Sequence, residues 1–340
     1  MSDGFHEPRL SASPLDAPPT FEDIAKAGRR LTGRAVRTPL LSVPALDAAT
    51  GATVLVKPEV LQRTGSFKFR GAYNFLAQLL PDVRASGVVT SSSGNHAQGV
   101  AAAAAYFGVP ATIVMPADAP AAKIEGTKAL GGRVVTYDRQ REDREAIAGD
   151  IARQTGATLV PPFDHPWIIA GQGTVGAEIA AQADAANAAL DAVLVPCSGG
   201  GLTAGIATAL AELAPAARVW TVEPAGYDDT ARSLAAGHRL QNEPGAASLC
   251  DALLVGTPGA LTFAINSRLC AGGVTVSDAE VVRAMAFAYR HLKLVVEPGG
   301  AAALAALLAG RPALKGKTVA VVLSGGNVDR DTFAAALAAA

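Results

Sequence analysis

Short, Val-rich apolar runs alternate along the chain with longer, Ala-rich stretches. The short runs cover residues 53–56, 88–90, 111–115, 134–136, 192–195, 219–222 and 319–323. Each is too short for a helix and apolar on both faces, so each is predicted to be a buried strand. The Ala-rich stretches at residues 96–107, 121–130, 142–154 and 202–213 are predicted helices. Several close on Gly108, Gly131 or Gly156, where a residue that tolerates left-handed backbone ends a helix. Thr20, with Asp23 three positions on, reads as a helix N-cap, followed by Phe21, Ile24, Gly28 and Leu31 on one face. Residues 1–20, rich in Pro and Ser, are expected to form a loose arm.

Strand–helix alternation implies an α/β fold of parallel sheets covered by helices. No short-period repeat and no Gly/Ser linker is present. At 340 residues the chain is long enough for two lobes sharing a cleft, with the backbone crossing between them more than once.

Composition narrows the function. Lys+Arg number 29 against Asp+Glu 30, so there is no positive field to hold nucleic acid. Apolar residues make up 50% and net charge is -1, which excludes a disordered chain. The longest apolar runs, residues 100–107 and 301–309, fall short of the roughly 18 residues of a membrane span. The N-terminal MSDGFHEPRL lacks the apolar centre of a signal peptide. The 3 cysteines, Cys197, Cys250 and Cys270, have neither disulfide-framework nor metal-ligand spacing. A cytoplasmic location is expected.

Three predicted strands run into turns of small residues: Ser91-Ser92-Ser93-Gly94-Asn95-His96, Ser198-Gly199-Gly200-Gly201 and Ser324-Gly325-Gly326-Asn327. Ligands of open α/β sheets bind outside the carboxyl ends of strands. The first two turns also open helices, whose free N–H groups favour an anion. The three glycines after Ser198 make the best phosphate cradle, although such a turn can also serve packing alone. Nothing follows the dinucleotide or P-loop spacing, so a small phosphorylated cofactor is favoured over a nucleotide. Lys68 is bracketed by Phe67 and Phe69 in a chain with 5% aromatics. Apolar surroundings lower an ammonium pKa and free the amine for Schiff-base chemistry. The plain alternative is a lysine that snorkels from a helix start.

These segments together resemble a known family. Gly65-Ser66-Phe67-Lys68-x-Arg70-Gly71-Ala72, Ser92-Ser93-Gly94-Asn95-His96-Ala97-Gln98-Gly99, Ser198-Gly199-Gly200-Gly201-Leu202 and the Ser324 turn are similar, in order, to the signatures of fold-type II pyridoxal phosphate enzymes. The branch they resemble is that of serine/threonine dehydratases and serine racemase. The resemblance runs from about Phe21 to the C-terminus. It implies a two-lobed, tryptophan synthase β-like fold with the cofactor in the cleft. The expected division is a small domain at residues 86–159 and a large cofactor-binding domain at 21–85 plus 160–340, in a homodimer. The resemblance makes Lys68 the Schiff-base lysine and the base on one substrate face, and has Phe67 line the ring. It has Asn95 meet the ring oxygen and Ser324 the ring nitrogen. It puts the phosphate on Ser198, Gly199, Gly200, Gly201 and Leu202, where many relatives have four glycines and this chain has Ser198 first. Ser93, Gly94, Asn95 and His96 would hold the substrate carboxylate. Glu297 would lie beside the cofactor, although an acid opening a helix has a plain electrostatic reading as well.

The implied reaction converts a β-hydroxy amino acid, by default L-threonine or L-serine, to a 2-oxo acid and ammonia. Ser93 keeps 3-hydroxyaspartate dehydratase and serine racemase open, because relatives of those branches carry serine there and racemisation needs a second acid/base opposite Lys68. A non-catalytic binder is opposed by the intact lysine. The resemblance also maps an Mg²⁺ or Ca²⁺ site to Glu223, Tyr227 and Asp229; oxygen ligands suit such a cation, and a solvated acidic turn is the alternative. The chain runs only briefly past Asn327, so no C-terminal regulatory domain and no control by isoleucine are expected.

Overall fold

The computed structural model describes residues 17–119, 121–243 and 245–339. The expected arm therefore lies almost wholly outside the described residues. Thr20 caps the helix Phe21–Leu31 in a capping box: its hydroxyl accepts from Asp23 N, and its own N–H donates to the Asp23 carboxylate at 2.9 Å.

Among the described residues, ten strands form two sheets. They are β1 (Leu41–Ser42), β2 (Thr53–Pro58), β3 (Val88–Ser91), β4 (Ala111–Pro116), β5 (Arg133–Tyr137), β6 (Thr158–Leu159), β7 (Ala192–Pro196), β8 (Arg218–Pro224), β9 (Cys270–Val276) and β10 (Thr318–Leu323). The larger sheet has the order β1-β2-β10-β7-β8-β9 and the smaller β5-β4-β3-β6. Every pair is parallel except β1 with β2. The chain thus starts in the large sheet, builds the small one, and returns.

Both sheets are apolar on both faces, as parallel sheets must be. In the large sheet Val54, Val56, Leu194, Val319, Val321 and Leu323 pack on one side against the helix Pro298–Leu308. Their alternate neighbours Leu55, Val193, Val195, Ala320 and Val322 pack on the other side with Val175, Ile179 and Ile206. In the small sheet Val88, Ile113 and Met115 face the helix Asn95–Phe107, while Val89, Val114 and Tyr137 face the helix Arg144–Thr155. The period of 2 sorts each strand between two cores.

One central helix, Pro166–Ala185, sets the positions that matter for the site. The helix Lys68–Gln78 crosses it at Gly71 and Gly171, where a Cβ on Gly171 would stand 2.6 Å from Gly71 Cα. The helix Gly201–Leu213 crosses it at Gly173 and Gly205, where a Cβ on Gly205 would stand 2.5 Å from Gly173 N. Backbone contact at both crossings holds the lysine helix and the helix behind the glycine turn on one support.

Candidate active site

Strands β2, β10 and β7 are adjacent and parallel, so the turns that follow β10 and β7 lie along one edge of the large sheet. The segment before Lys68 is tied to that edge. Ser66 bridges Gly325, Phe67 N donates to Ser324 O at 3.1 Å, and Gly326 N donates to Gly65 O at 2.9 Å. Thr64 takes φ 61, a conformation unfavourable for a β-branched residue, next to Gly65 at φ 71. Strained backbone held by a neighbouring turn thus leads directly into Lys68.

Lys68 is half-buried, and its ammonium donates to Pro162 O at 2.7 Å. Desolvation pushes its pKa down to about 8. The Phe67 ring centroid lies 5.3 Å from Nζ. Phe69 does not share in this environment, contrary to the sequence expectation. It points into the small-lobe core with Tyr73 and Leu76, because adjacent helix residues diverge by about 100°.

The turn after β7 has two sides. On one, carbonyls are held: Gly199 O accepts from Thr262 Oγ1 at 2.6 Å, and Gly200 O from Asn266 Nδ2 at 3.3 Å. Gly200 takes φ 92, and a Cβ on Gly199 would collide with the Phe163 ring. Packing alone therefore demands glycine at both positions. On the other side, the N–H groups of Ser198, Gly199, Gly200, Gly201 and Leu202 have no acceptor among the described residues. The Ser198 hydroxyl is buried without a partner. Bracing the carbonyls aims the donors elsewhere, which makes an anion cradle.

Asn95, at the start of its helix, joins both lobes. Its Nδ2 donates to Glu297 Oε1 at 2.6 Å, and its Oδ1 accepts from Asn327 Nδ2 at 2.7 Å. Glu297 is buried; desolvation and then Asp251 push its pKa up to about 7, against the Asn95 hydrogen bond and Lys123. Lys123 of the small lobe forms an ion pair with Asp251. Ser324 is buried beside β10, its carbonyl taken by Phe67 N. In the turn after β3, Ser92 Oγ engages Gly94 N at 3.3 Å, whereas the N–H groups of Ser93, Asn95 and His96 find no acceptor among the described residues. His96 Nε2 lies 3.1 Å from Val160 O, and desolvation, then Lys68, hold its pKa down at about 3. It is a neutral ring that donates through Nε2. Ser93 lines a cavity of about 80 Å³ with Ser92, Val114, Pro116, Tyr137, Arg139 and Arg144, at the carboxyl edge of the small sheet.

Comparison with known proteins decides the family. Residues 31–325 match the family described as Pyridoxal-phosphate dependent enzyme. The chain belongs to that family. It is 44% identical over 318 residues to the L-threo-3-hydroxyaspartate ammonia-lyase of Pseudomonas sp, covering 94% of this chain and 98% of that one. It is 40% identical to the serine racemase of Schizosaccharomyces pombe, covering 93% and 96%. A solved threonine deaminase, that of T.th., superposes with a TM-score of 0.87 at 42% identity, covering 92% and 99%. These relatives make the chain a pyridoxal-phosphate dependent carbon–nitrogen lyase with their α/β architecture.

The residues present fit that cofactor. Its phosphate needs unclaimed donors, which the Ser198 turn offers together with an orphaned hydroxyl. Its aldehyde needs an amine with a lowered pKa, which Lys68 has. A larger cavity of about 460 Å³ opens behind Phe163, and none of the sequence-expected site residues lines it.

The acidic turn is a separate cluster. Glu223 accepts from Thr230 N at 3.1 Å and Ala231 N at 2.7 Å; burial and then Asp229 push its pKa up to about 8. Asp229 accepts from Asn242 at 2.6 Å, its Oδ2 is buried without a partner, and burial pushes its pKa up to about 6. The Tyr227 hydroxyl donates to Ala246 O at 2.8 Å. Among the described residues no group of three or more His, Cys, Asp or Glu side chains forms a metal array.

Several residues of the enzyme's site went unread in the sequence. Pro162 holds the lysine, Phe163 overlies the glycine turn, and Thr262 and Asn266 brace it. Asn327 stood inside a recognised motif without a role. His165 caps the helix Pro166–Ala185 through Nδ1, and desolvation holds its pKa down at about 4, which makes it structural.

Proposed function

We propose that the enzyme is an ammonia-lyase of β-hydroxy amino acids and that 3-hydroxyaspartate is its preferred substrate, ahead of L-threonine and L-serine. When bound, pyridoxal phosphate draws electrons from the Cα–H bond of the amino acid it carries. Ser198, Gly199, Gly200, Gly201 and Leu202 hold its phosphate, Phe67 lines its ring, Asn95 meets the ring oxygen and Ser324 the ring nitrogen. A serine hydroxyl does not hold a proton on that nitrogen as a carboxylate would, which favours prompt loss of a β-substituent over a long-lived carbanion. Lys68 binds the cofactor, then takes the Cα proton. The N–H groups of Ser93, Asn95 and His96 hold the substrate carboxylate, with Gly94 giving the turn its shape. The β-hydroxyl leaves as water, carrying off the proton that Lys68 took from Cα, and the released enamine hydrolyses to a 2-oxo acid and ammonia.

The observation that supports the substrate choice is the cavity at Ser92 and Ser93, which carries Arg139 and Arg144. A second substrate carboxylate would compete there with Asp118, 2.8 Å from Arg139, and Glu145, 3.2 Å from Arg144. Neither L-threonine nor L-serine brings such a charge. Racemisation is the second reading, supported by a Ser93 hydroxyl that has no partner among the described residues and so is free to carry a proton. A divalent cation on Glu223, Asp229 and the Tyr227 carbonyl belongs to the same proposal, as do the homodimer and the cytoplasmic location.

The test is a panel of both enantiomers of serine, threonine and the 3-hydroxyaspartates, with 2-oxo acid, ammonia and product enantiomer assayed together. A kcat/KM for 3-hydroxyaspartate at or below that for L-threonine sinks the substrate choice. Ser93→Ala is expected to remove racemisation and D-substrate turnover by about 10²-fold or more while sparing L-dehydration. Undiminished racemisation in that variant removes Ser93 from the mechanism.

A further inference from the structure

The polar contacts around Asn95 form a chain with a single consistent direction. It begins at Thr64 O, a carbonyl that can only accept. Asn327 must therefore turn Nδ2 towards it, and does so at 2.7 Å. The same Nδ2 reaches Asn95 at 2.7 Å, so both of its hydrogens are committed and the Asn95 atom facing it must be the acceptor Oδ1. The Asn95 Nδ2 is then left facing Glu297 Oε1 at 2.6 Å. A flipped Asn95 would set donor against donor at Asn327, and oxygen against oxygen at an ionised Glu297. Both ends of the amide are fixed, and its second Nδ2 hydrogen remains uncommitted.

A glycine in the turn after β10 and another in the first turn of the helix Pro298–Leu308 make room for this arrangement. A Cβ on Gly325 would collide with the Glu297 carboxylate and stand 2.9 Å from Asn95 Nδ2. A Cβ on Gly300 would collide with Gly325 O. Gly325 therefore seats the Glu297–Asn95 pair, whatever else its turn does. Glu297 is the N-cap residue of the helix Pro298–Leu308, yet its side chain makes no capping bond to that helix. Its carboxylate engages Asn95 and the backbone of Asn327 instead.

We propose that Glu297 is a positioning residue that, with Asn327, holds the Asn95 amide in the one orientation that offers an N–H to the cofactor's ring oxygen. The proposal rests on the reading that Asn95 meets that oxygen. A fixed donor stabilises an ionised ring oxygen, whereas a flipped amide would present a carbonyl and repel it.

A double-mutant cycle on the holoenzyme tests this, with Asn95→Ala, Glu297→Met and the pair. The readouts are the cofactor dissociation constant and the position of the visible cofactor band across pH. Both are taken without substrate, so they do not depend on the choice of amino acid. Glu297→Met is expected to weaken cofactor binding about tenfold and to move the band. In the Asn95→Ala background the same change is expected to add less than about twofold, because its effect runs through the amide. Glu297→Gln keeps an oxygen within the same reach and is expected to recover binding to within about threefold of wild type. Additive single effects, or a Gln variant as impaired as the Met variant, overturn the proposal. Glu297→Ala takes the place of Glu297→Met if the latter does not fold. An Asn95→Ala variant with wild-type binding and band would instead overturn the contact on which the proposal rests.

Discussion

Two polar clusters flank the start of the helix Lys68–Gln78, and they are built on opposite rules. Around Arg70 every charge is answered. Its guanidinium takes both oxygens of Glu59 at 2.8 Å and both of Glu178 at 2.7 and 2.9 Å. Lys57 adds bonds to Glu178, Thr38 O and Gln182. Burial works against the Glu59 carboxylate, but Arg70 beside it holds its pKa below the usual range; burial lowers that of Lys57 even so. Two residues away, around Lys68, the buried hydroxyls of Thr64, Ser66 and Ser198 have no partner, and a row of N–H groups is unclaimed. A buried polar group left alone costs about 1–3 kcal/mol. The satisfied cluster is scaffold. The unsatisfied one is shaped for something that arrives later.

The sharpest way to break that comparison is to exchange the consequences of the two residues. Lys68→Ala is expected to lower kcat by about 10³-fold or more, since it removes the amine that the proposed chemistry uses. Without cofactor, its melting temperature should stay close to that of the cofactor-free parent, because there the lysine gives up only its bond to Pro162 O. Borohydride reduction of the parent, followed by peptide mapping, should find the cofactor on Lys68. A label on any other lysine would overturn the assignment.

Arg70→Leu should do the reverse at the level of stability. It strands Glu59 and Glu178 without their main counter-charge, a change worth about 3–5 kcal/mol against the folded state. Arg70→Lys should recover only part of this, because an ammonium cannot grip two carboxylates with a planar fork. Denaturant unfolding of the three variants gives the order. Equal destabilisation by Lys68→Ala and Arg70→Leu would dissolve the distinction between the clusters.

The same contrast explains what could be read from the chain. All seven strands expected from Val-rich runs are present, because a strand buried on both faces announces itself locally. Strand β9 was not foreseen: its Gly272 and Gly273 break the apolar run, and it is only partly buried over most of its length. The central helix Pro166–Ala185 was also missed. Gly171, Gly173 and Gly176 argue against a helix by propensity, yet two of them mark the crossings that hold it in place. The same rule governs the site. Lys68 and the three turns carry their chemistry in consecutive residues. The Pro162 contact spans 94 positions and the Asn95–Glu297 bond 202, and no local pattern encodes such a pair.

The smallest expected effect belongs to the acidic turn, which is an intermediate case: Glu223 is hydrogen-bonded, while Asp229 keeps one buried oxygen without a partner. Their pKa values are raised to about 8 and about 6, so between about pH 4 and pH 8 the folded state holds protons that the unfolded chain releases. Stability from this pair is therefore greatest at low pH and falls as pH rises through that window. A bound cation reverses the preference, because it favours both charged forms. The gain in melting temperature from Mg²⁺ or Ca²⁺ over a chelated sample should then be larger at pH 8 than at pH 6. At saturation near 100 Kd the gain corresponds to about 2.7 kcal/mol, enough to move the transition by a few degrees. Glu223→Gln should abolish the response at both pH values while leaving the cofactor band in place. A cation response that is flat with pH, or that survives Glu223→Gln, would assign the effect to another part of the surface and leave Glu223 and Asp229 as a hydrogen-bonded acidic turn.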